Sequence, residues 1–423
     1  MTKEPPRPIS FDGPLGRRII DLHVWAVRQG LLGTGAAELF DSFCRRLVES
    51  GLPLWRGYAA MRTLHPQWGG YGYTWRREGN AIEPAAYGRG GGPSWSTSPF
   101  AYMVEQARTG GEEENPWRHF RRRLTGSEAQ LDFPVLEQLA AEGGSDYFAQ
   151  IVRFGAEGDL SHGTGVAYSF AIDRPEGFRE DDLALLKAVL PALSLAMMAH
   201  AGYTIAASLL TAYLGGDAGR RVHSGAIERG SVESIHAVLW YADIRGFTAI
   251  ADSTPGHEII ELLNEVFETI TGPLRRGGGQ VLKFMGDGLL ATFPLAELTE
   301  QETCRHALDA AVEAMQTLDR LNRVRREAGK PVAEVDLALH VGEVLYGNVG
   351  AVDRLDFTVI GPAVNEAARI ELLCKELGHN LLVSEAFAAA AESSRSHLKS
   401  LGRHRLRGVR EETELFTIAD AAT

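Results

Sequence analysis

Positive charge is in short supply in this chain. Lys and Arg number 43 against 55 Asp and Glu, leaving a formal net charge of −12. That excludes a general nucleic-acid binder, because affinity for backbone phosphate needs a basic face. An acidic chain that handles nucleotides must do so with metal ions and a few placed cations. Cysteine is scarcer still. Cys44, Cys304 and Cys374 have neither paired nor metal-ligand spacing and read as free thiols of a reducing compartment. The opening residues, Met-Thr-Lys-Glu-Pro-Pro-Arg-Pro, lack the apolar core of a secretory signal, so a cytoplasmic location is expected. The glycine-rich stretch Gly88–Pro93 has no Gly-Lys-Ser/Thr ending and reads as a loop, not a phosphate cradle. Long apolar runs are missing with one exception. Ala188–Leu214 is long enough to cross a bilayer, but Pro191 and the polar Ser194, His200, Thr204, Ser208 and Thr211 make it weakly apolar. A buried helix, packed in a dimer, is the expectation, and a membrane span is not.

What is present fits two or three domains, the usual number for 423 residues. Residues 1–16, rich in Pro, Gly and charge, are expected to lack fixed structure. From Leu22 to Gly51, Val24, Ala26, Val27, Leu31, Leu32, Leu39, Phe40, Phe43, Leu47 and Val48 recur at helical spacing, which predicts two helices broken at Gly33-Thr34-Gly35. Alternation over Leu54–Leu64 and Gly70–Arg76 predicts two strands. The basic run Arg118–Arg123 reads as a solvated helix face. Six of the seven tryptophans lie between Trp25 and Trp117; core and surface packing explains them, and an aromatic-lined ligand pocket is the alternative. Strands are expected at Tyr147–Phe154 and Val166–Ile172, followed by a helix from Glu180 that breaks at Gly215-Gly216. The last strand leads into Phe178-x-x-x-Asp182 and Leu185-Leu186, a sequence that resembles the closing half of a GAF domain. The resemblance implies an α/β sensory module that holds a small-molecule ligand or dimerises.

The chemistry concentrates between Tyr241 and Arg369. His236–Ala242 is an apolar run of strand length ending at Asp243, after which Ile244-Arg245-Gly246 turns and a helix starts at Phe247 or Thr248. A carboxylate beside free N–H groups at a helix start suits a magnesium triphosphate; the plain alternative is an Asp that caps the helix. Gln280–Phe293 reads as a hairpin with Gly286-Asp287-Gly288 at its turn. Asp287 adds a second carboxylate, and two such groups on adjacent strands can hold two hard cations. Asn365 and Arg369, four apart on a helix, project from one face.

Asp-Ile-Arg-Gly-Phe-Thr (Asp243–Thr248) followed by Lys-Phe-Met-Gly-Asp-Gly (Lys283–Gly288) is similar to the class III nucleotidyl cyclases. The match continues through Leu339–Gly350 and Phe357–Arg369 and covers about residues 235–418. The resemblance implies a ferredoxin-like βαββαβ catalytic domain of mixed α/β class. It makes Asp243 and Asp287 ligands of two Mg2+ per site, with Mn2+ able to substitute and the Ile244 carbonyl assisting. Lys283 matches the purine-reading position, where lysine suits adenine, and its usual acidic partner is here Thr358, as in a bacterial subgroup of adenylyl cyclases. Asn365 and Arg369 match the pair that positions the ribose and neutralises charge on the α-phosphate. Asp336 stands where many relatives have a phosphate-contacting arginine. Arg407 and Arg410 are candidates for the terminal phosphates. The family uses a head-to-tail homodimer with the site shared between chains. The expected organisation is a flexible 1–16, a GAF-like regulatory domain over 17–200, a helical connector over 201–232 and a catalytic domain over 233–423. The expected activity is ATP to 3′,5′-cyclic AMP and pyrophosphate. A guanylyl or mixed-purine cyclase and a catalytically silent nucleotide-binding sensor are the alternatives.

Overall fold

The computed structural model describes residues 12–65, 68–79, 82, 84–88, 95–109, 119–154, 165–295, 298–409 and 411–419. Contacts divide the chain into two compact units, 1–209 and 210–423.

In the first unit, α1 (Pro14–Leu32) and α2 (Ala36–Glu49) are separated at Gly33, whose φ of 70° ends α1 in a left-handed cap. Strands β1 (Leu54–Arg62), β2 (Gly70–Arg76) and β3 (Pro84–Tyr87) follow. After α3 (Pro99–Thr109) come β4 (His119–Arg123), α4 (Pro134–Ala141), β5 (Asp146–Arg153), β6 (Gly165–Ile172) and the long α5 (Glu180–Leu214). The strands make an antiparallel sheet in the order β3-β2-β1-β6-β5-β4. On one face Phe40, Phe43, Leu47, Tyr168, Phe170, Leu186 and Leu190 form the core.

The two helices broken at Gly33 are as expected, and one other expectation is corrected. Within α1, Ile19, Leu22 and Ala26 are buried, while Val24, Val27, Leu31 and Leu32 are exposed. The helix is apolar on two sides, and only one packs against the unit. The basic run is no helix face, for its described part, His119–Arg123, is a strand. Arg121 and Arg123 reach the fully buried Asp146, which also accepts the Phe178 N–H at 2.9 Å, and Arg122 pairs with Asp132.

The expected exit helix is one element. Asp182 accepts the Arg179 N–H at 2.9 Å and is ion-paired with Arg174, which fixes the start of α5. This is the one helix among the described residues long and apolar enough to cross a membrane, and 56% of its most apolar window is buried in the protein.

The second unit runs through α6 (Gly216–His223), β7 (Val232–Ile244), α7 (Phe247–Ser253), α8 (Gly256–Arg276), β8 (Gln280–Met285), β9 (Gly288–Pro294), α9 (Glu300–Glu327), β10 (Val335–Gly350), β11 (Leu355–Ile360), α10 (Pro362–Leu377), β12 (Leu381–Ser384), α11 (Glu385–Ala390), β13 (Leu398–His404) and β14 (Thr413–Ile418). The inner order β10-β7-β9-β8, all antiparallel, with α8 and α9 as crossovers, is the βαββαβ arrangement expected. The helices α8 and α9 cover one face through Leu262, Val266, Ile270, Ala307, Ala311 and Leu318. The C-terminal half of β10 leaves its pairing with β12 and instead pairs with β11, from Leu345↔Ile360 to Gly350↔Leu355.

Candidate active site

Strand register brings the first two acidic residues together. β7 lies between β10 and β9, with Asp243 opposite Asp336 on one side and Ala242 opposite Leu289 on the other. The β8–β9 turn therefore lands beside Asp243. Gly286 in that turn has φ 69°, a left-handed conformation that glycine adopts without strain. A Cβ on Gly288 would stand 3.1 Å from Asp243 Oδ1, so the missing side chain is what admits the Asp243 carboxylate. Asp243 and Asp287 lie within hydrogen-bonding reach. Burial first, then the negative charge of Asp287, pushes the Asp243 carboxyl up to about 6.

Two carboxylates crowded this way are a donor set that a cation relieves. Among the described residues no group of three or more His, Cys, Asp or Glu could hold a metal ion alone. A pair suits hard ions whose remaining positions go to water and phosphate. Ile244 is buried. Gly246, φ 66°, turns the chain into α7, where Phe247 packs against the helix-side core and Thr248 is exposed. α7 starts at Phe247, as expected, and is seven residues long.

Three further residues were not singled out as contributors. Arg245 makes a two-point ion pair with Asp336 and also reaches Glu334 and Asn380. Asp336 is thus committed to Arg245 and holds the strand end that carries Asp243. Glu371, 6% exposed, is pushed up to about 7 by burial and by Asp243, Asp336 and Asp287. The only sequence signal for it is its place two residues beyond Arg369. Asp356 accepts from Lys283 Nζ at 3.0 Å.

The remaining candidates lie on β11, on α10 and in the turn before β14. Thr358, opposite Gly347 on β10, is 5% exposed, and its Oγ1 has no hydrogen-bond partner. An orphaned buried hydroxyl is costly unless a ligand completes it. On α10 Asn365 is exposed and Arg369 half-buried. The Arg369 guanidinium lies beside Gly408, which has φ 77° and ends the turn held by the Val409 N–H to Leu406 carbonyl bond at 3.0 Å. Arg407, exposed in that turn, therefore belongs to the same neighbourhood as Arg369. Arg410 lies outside the described residues.

Residues 231–420 match the family described as the adenylate and guanylate cyclase catalytic domain. The adenylate cyclase of Anabaena cylindrica is 34% identical over 164 residues, which is 38% of this chain and 32% of that protein. Adenylate cyclase 1 of Rhizobium meliloti is 27% identical over 180 residues, 42% of this chain and 26% of that protein. The chain thus spans about a third of the length of the curated relatives it matches. Among solved structures, a bacterial light-regulated adenylyl cyclase aligns with 27% identity and a TM-score of 0.38, covering 44% of this chain and 91% of that one. The adenylyl cyclase CyaB from P. aeruginosa aligns with 22% identity and a TM-score of 0.41, covering 45% and 97%. Over residues 231–420 the chain carries a class III adenylyl/guanylyl cyclase catalytic domain.

Proposed function

We propose that the chain is an adenylyl cyclase that converts ATP to 3′,5′-cyclic AMP and pyrophosphate at the interface of a head-to-tail homodimer, under control of its N-terminal unit. The observation that carries the reading is the Asp243–Asp287 pair, brought face to face by β7 and the β8–β9 turn. Two Mg2+ ions, or Mn2+ in their place, would be held by these carboxylates with the Ile244 carbonyl, and when bound supply Lewis-acid polarisation and neutralise phosphate charge.

The chain's own residues do the rest. Lys283 donates to the purine N1, and the Thr358 hydroxyl, otherwise unpartnered, accepts from the exocyclic amine. Asn365 holds the ribose so that its 3′-oxygen lines up with the α-phosphorus. Arg369 meets the charge that develops on the α-phosphate oxygens as the bond to pyrophosphate breaks. Arg407, in the turn beside Arg369, meets the terminal phosphates, with Arg410 as the alternative. The hydroxyl proton leaves to solvent, and no side chain is assigned as its base. Phe247 and Thr248 offer backbone N–H groups to the triphosphate.

The geometry of α10 supports a site shared by two chains. Glu371 lies among the acidic residues around Asp243, whereas Arg369 lies against Gly408. Two residues on a helix are about 200° apart, so Arg369 is turned away from the carboxylate pair of its own chain. A second copy supplies the missing half. In the N-terminal unit, the antiparallel six-stranded sheet and the exit helix α5 support a GAF-like sensory module. α5 continues past Leu209, the last residue of the first unit, and so offers a mechanical route for a signal.

The test is to incubate the full chain with ATP or GTP, Mg2+ or Mn2+, and to separate the products. Cyclic AMP from the wild type and none from Asp287→Asn supports the reading. Preferential cyclisation of GTP would overturn the assignment of adenine. ATP binding without any cyclic product would favour the silent sensor.

A further inference from the structure

We infer that Asp356 is the residue that positions Lys283 against the purine, two places before Thr358 on the same strand. The inference rests on the cyclase reading above and concerns which residue sets its base preference. The sequence offers Lys283 no acidic partner at position 358. In the structure the partner is Asp356, whose Oδ2 lies 3.0 Å from Lys283 Nζ. Residues two apart on a strand project to the same face, so the Asp356 carboxylate and the Thr358 hydroxyl line one side of β11. The two are unlike in burial. The Asp356 and Lys283 side chains are 55% and 35% exposed, while Thr358 is 5% exposed with an unpartnered Oγ1.

An ion pair this open contributes little to folding, so stability does not account for it. Orientation does. A free lysine side chain distributes over many rotamers. Tied to Asp356 by one of its three N–H donors, Lys283 keeps two for a ligand. Adenine presents an acceptor at N1 and a donor at its exocyclic amine, which the anchored ammonium and the Thr358 oxygen complement. Guanine presents a donor at N1, and the carboxylate that would accept from it is already engaged by Lys283. The division of labour is therefore Asp356 for the lysine and Thr358 for the base.

The experiment is steady-state kinetics of the full chain, with ATP and with GTP, for the wild type, Asp356→Asn and Asp356→Glu, alongside thermal melting. Asp356→Asn is expected to raise KM for ATP roughly fivefold, about the loss expected from freeing one long side chain. Its kcat should change less than twofold, GTP turnover should not fall, and the ATP-to-GTP preference should drop accordingly. Asp356→Glu should recover most of the ATP KM. An unchanged ATP KM would overturn the assignment. So would a fall of kcat and melting temperature together at constant preference, which is what a merely structural latch between β8 and β11 would give. If the wild type makes no cyclic nucleotide, the cyclase reading fails by itself. Calorimetric binding of ATP then decides: affinity weakened fivefold in Asp356→Asn keeps the positioning role, and unchanged affinity removes it.

Discussion

Glu371 stands two residues past Arg369, and that offset sends the two side chains to opposite sides of α10. It faces Asp243, Asp287 and Asp336, with Arg245 opposing them. Its carboxyl is held up at about 7 and that of Asp243 at about 6, against ordinary values of 4.5 and 3.8. Folded values above unfolded ones mean that these groups favour the native state while protonated. That contribution is complete below about pH 4 and is lost as pH rises through about 6 to 7. In the absence of divalent cations, melting temperature should therefore carry a component that falls between pH 4 and pH 7. Glu371→Gln should remove part of it, raising the melting temperature of the cation-free chain at pH 7.5 by about 2–4 °C. Added Mg2+ should stabilise the wild type by a larger margin than Asp243→Asn. Melting curves across pH with and without Mg2+ check this, and a pH-independent difference between Glu371→Gln and wild type would count against it.

At the scale of elements, the β8–β9 hairpin controls how closely Asp287 approaches Asp243. Gly288→Ala puts a methyl 3.1 Å from Asp243 Oδ1, a contact relieved only by shifting one carboxylate by a few tenths of an ångström. Misplacement on that scale should cost roughly tenfold in kcat with little change in melting temperature, as activity and thermal scans on one preparation would show. This hairpin was legible in the sequence. Gly-Asp-Gly between apolar runs specifies a tight turn, whereas the βαββαβ order was an implication of the resemblance to the nucleotidyl cyclases and not of periodicity. Long-range charge pairing was not legible. Periodicity does not say that Arg121 and Arg123 answer Asp146, or that Lys283 meets Asp356 rather than Thr358, because those partners meet only when strands are in register. Arg118–Arg123 looked like a helix face for the same reason: its buried acceptor lies on β5. Arg121→Ala leaves the fully buried Asp146 with Arg123 and one backbone N–H, and should destabilise the chain by about 3 kcal/mol, read from urea unfolding. A loss under 1 kcal/mol would mean that Arg123 alone suffices.

At the scale of the whole molecule, each unit has its own core, Phe40 to Met197 in one and Val238 to Phe416 in the other. Only the first part of the apolar run Ala188–Leu214 is used inside the first. Val189, Leu190, Leu193 and Met197 are buried there while Leu195, Met198, Tyr203 and Tyr213 are exposed, and a Cβ on Gly30 of α1 would meet the Ala196 backbone at 2.9 Å, so the two helices touch closely. In the proposed head-to-tail homodimer the carboxylate pair and the Arg369 of one chain serve different sites, so inactivating them in separate chains should be curable by mixing. Asp287→Asn and Arg369→Ala should each be inactive alone. Mixed in equal amounts and allowed to exchange subunits, about half of the dimers become mixed pairs, each with one intact site and one doubly defective site. Activity should then recover to about a quarter of wild type. The recovered rate should depend on the mixing ratio as the product of the two fractions, with its maximum at equal amounts. A mixture as inactive as its components, after exchange is verified by chromatography of differently tagged chains, would place both residues in one chain's site and make the monomer the unit of function.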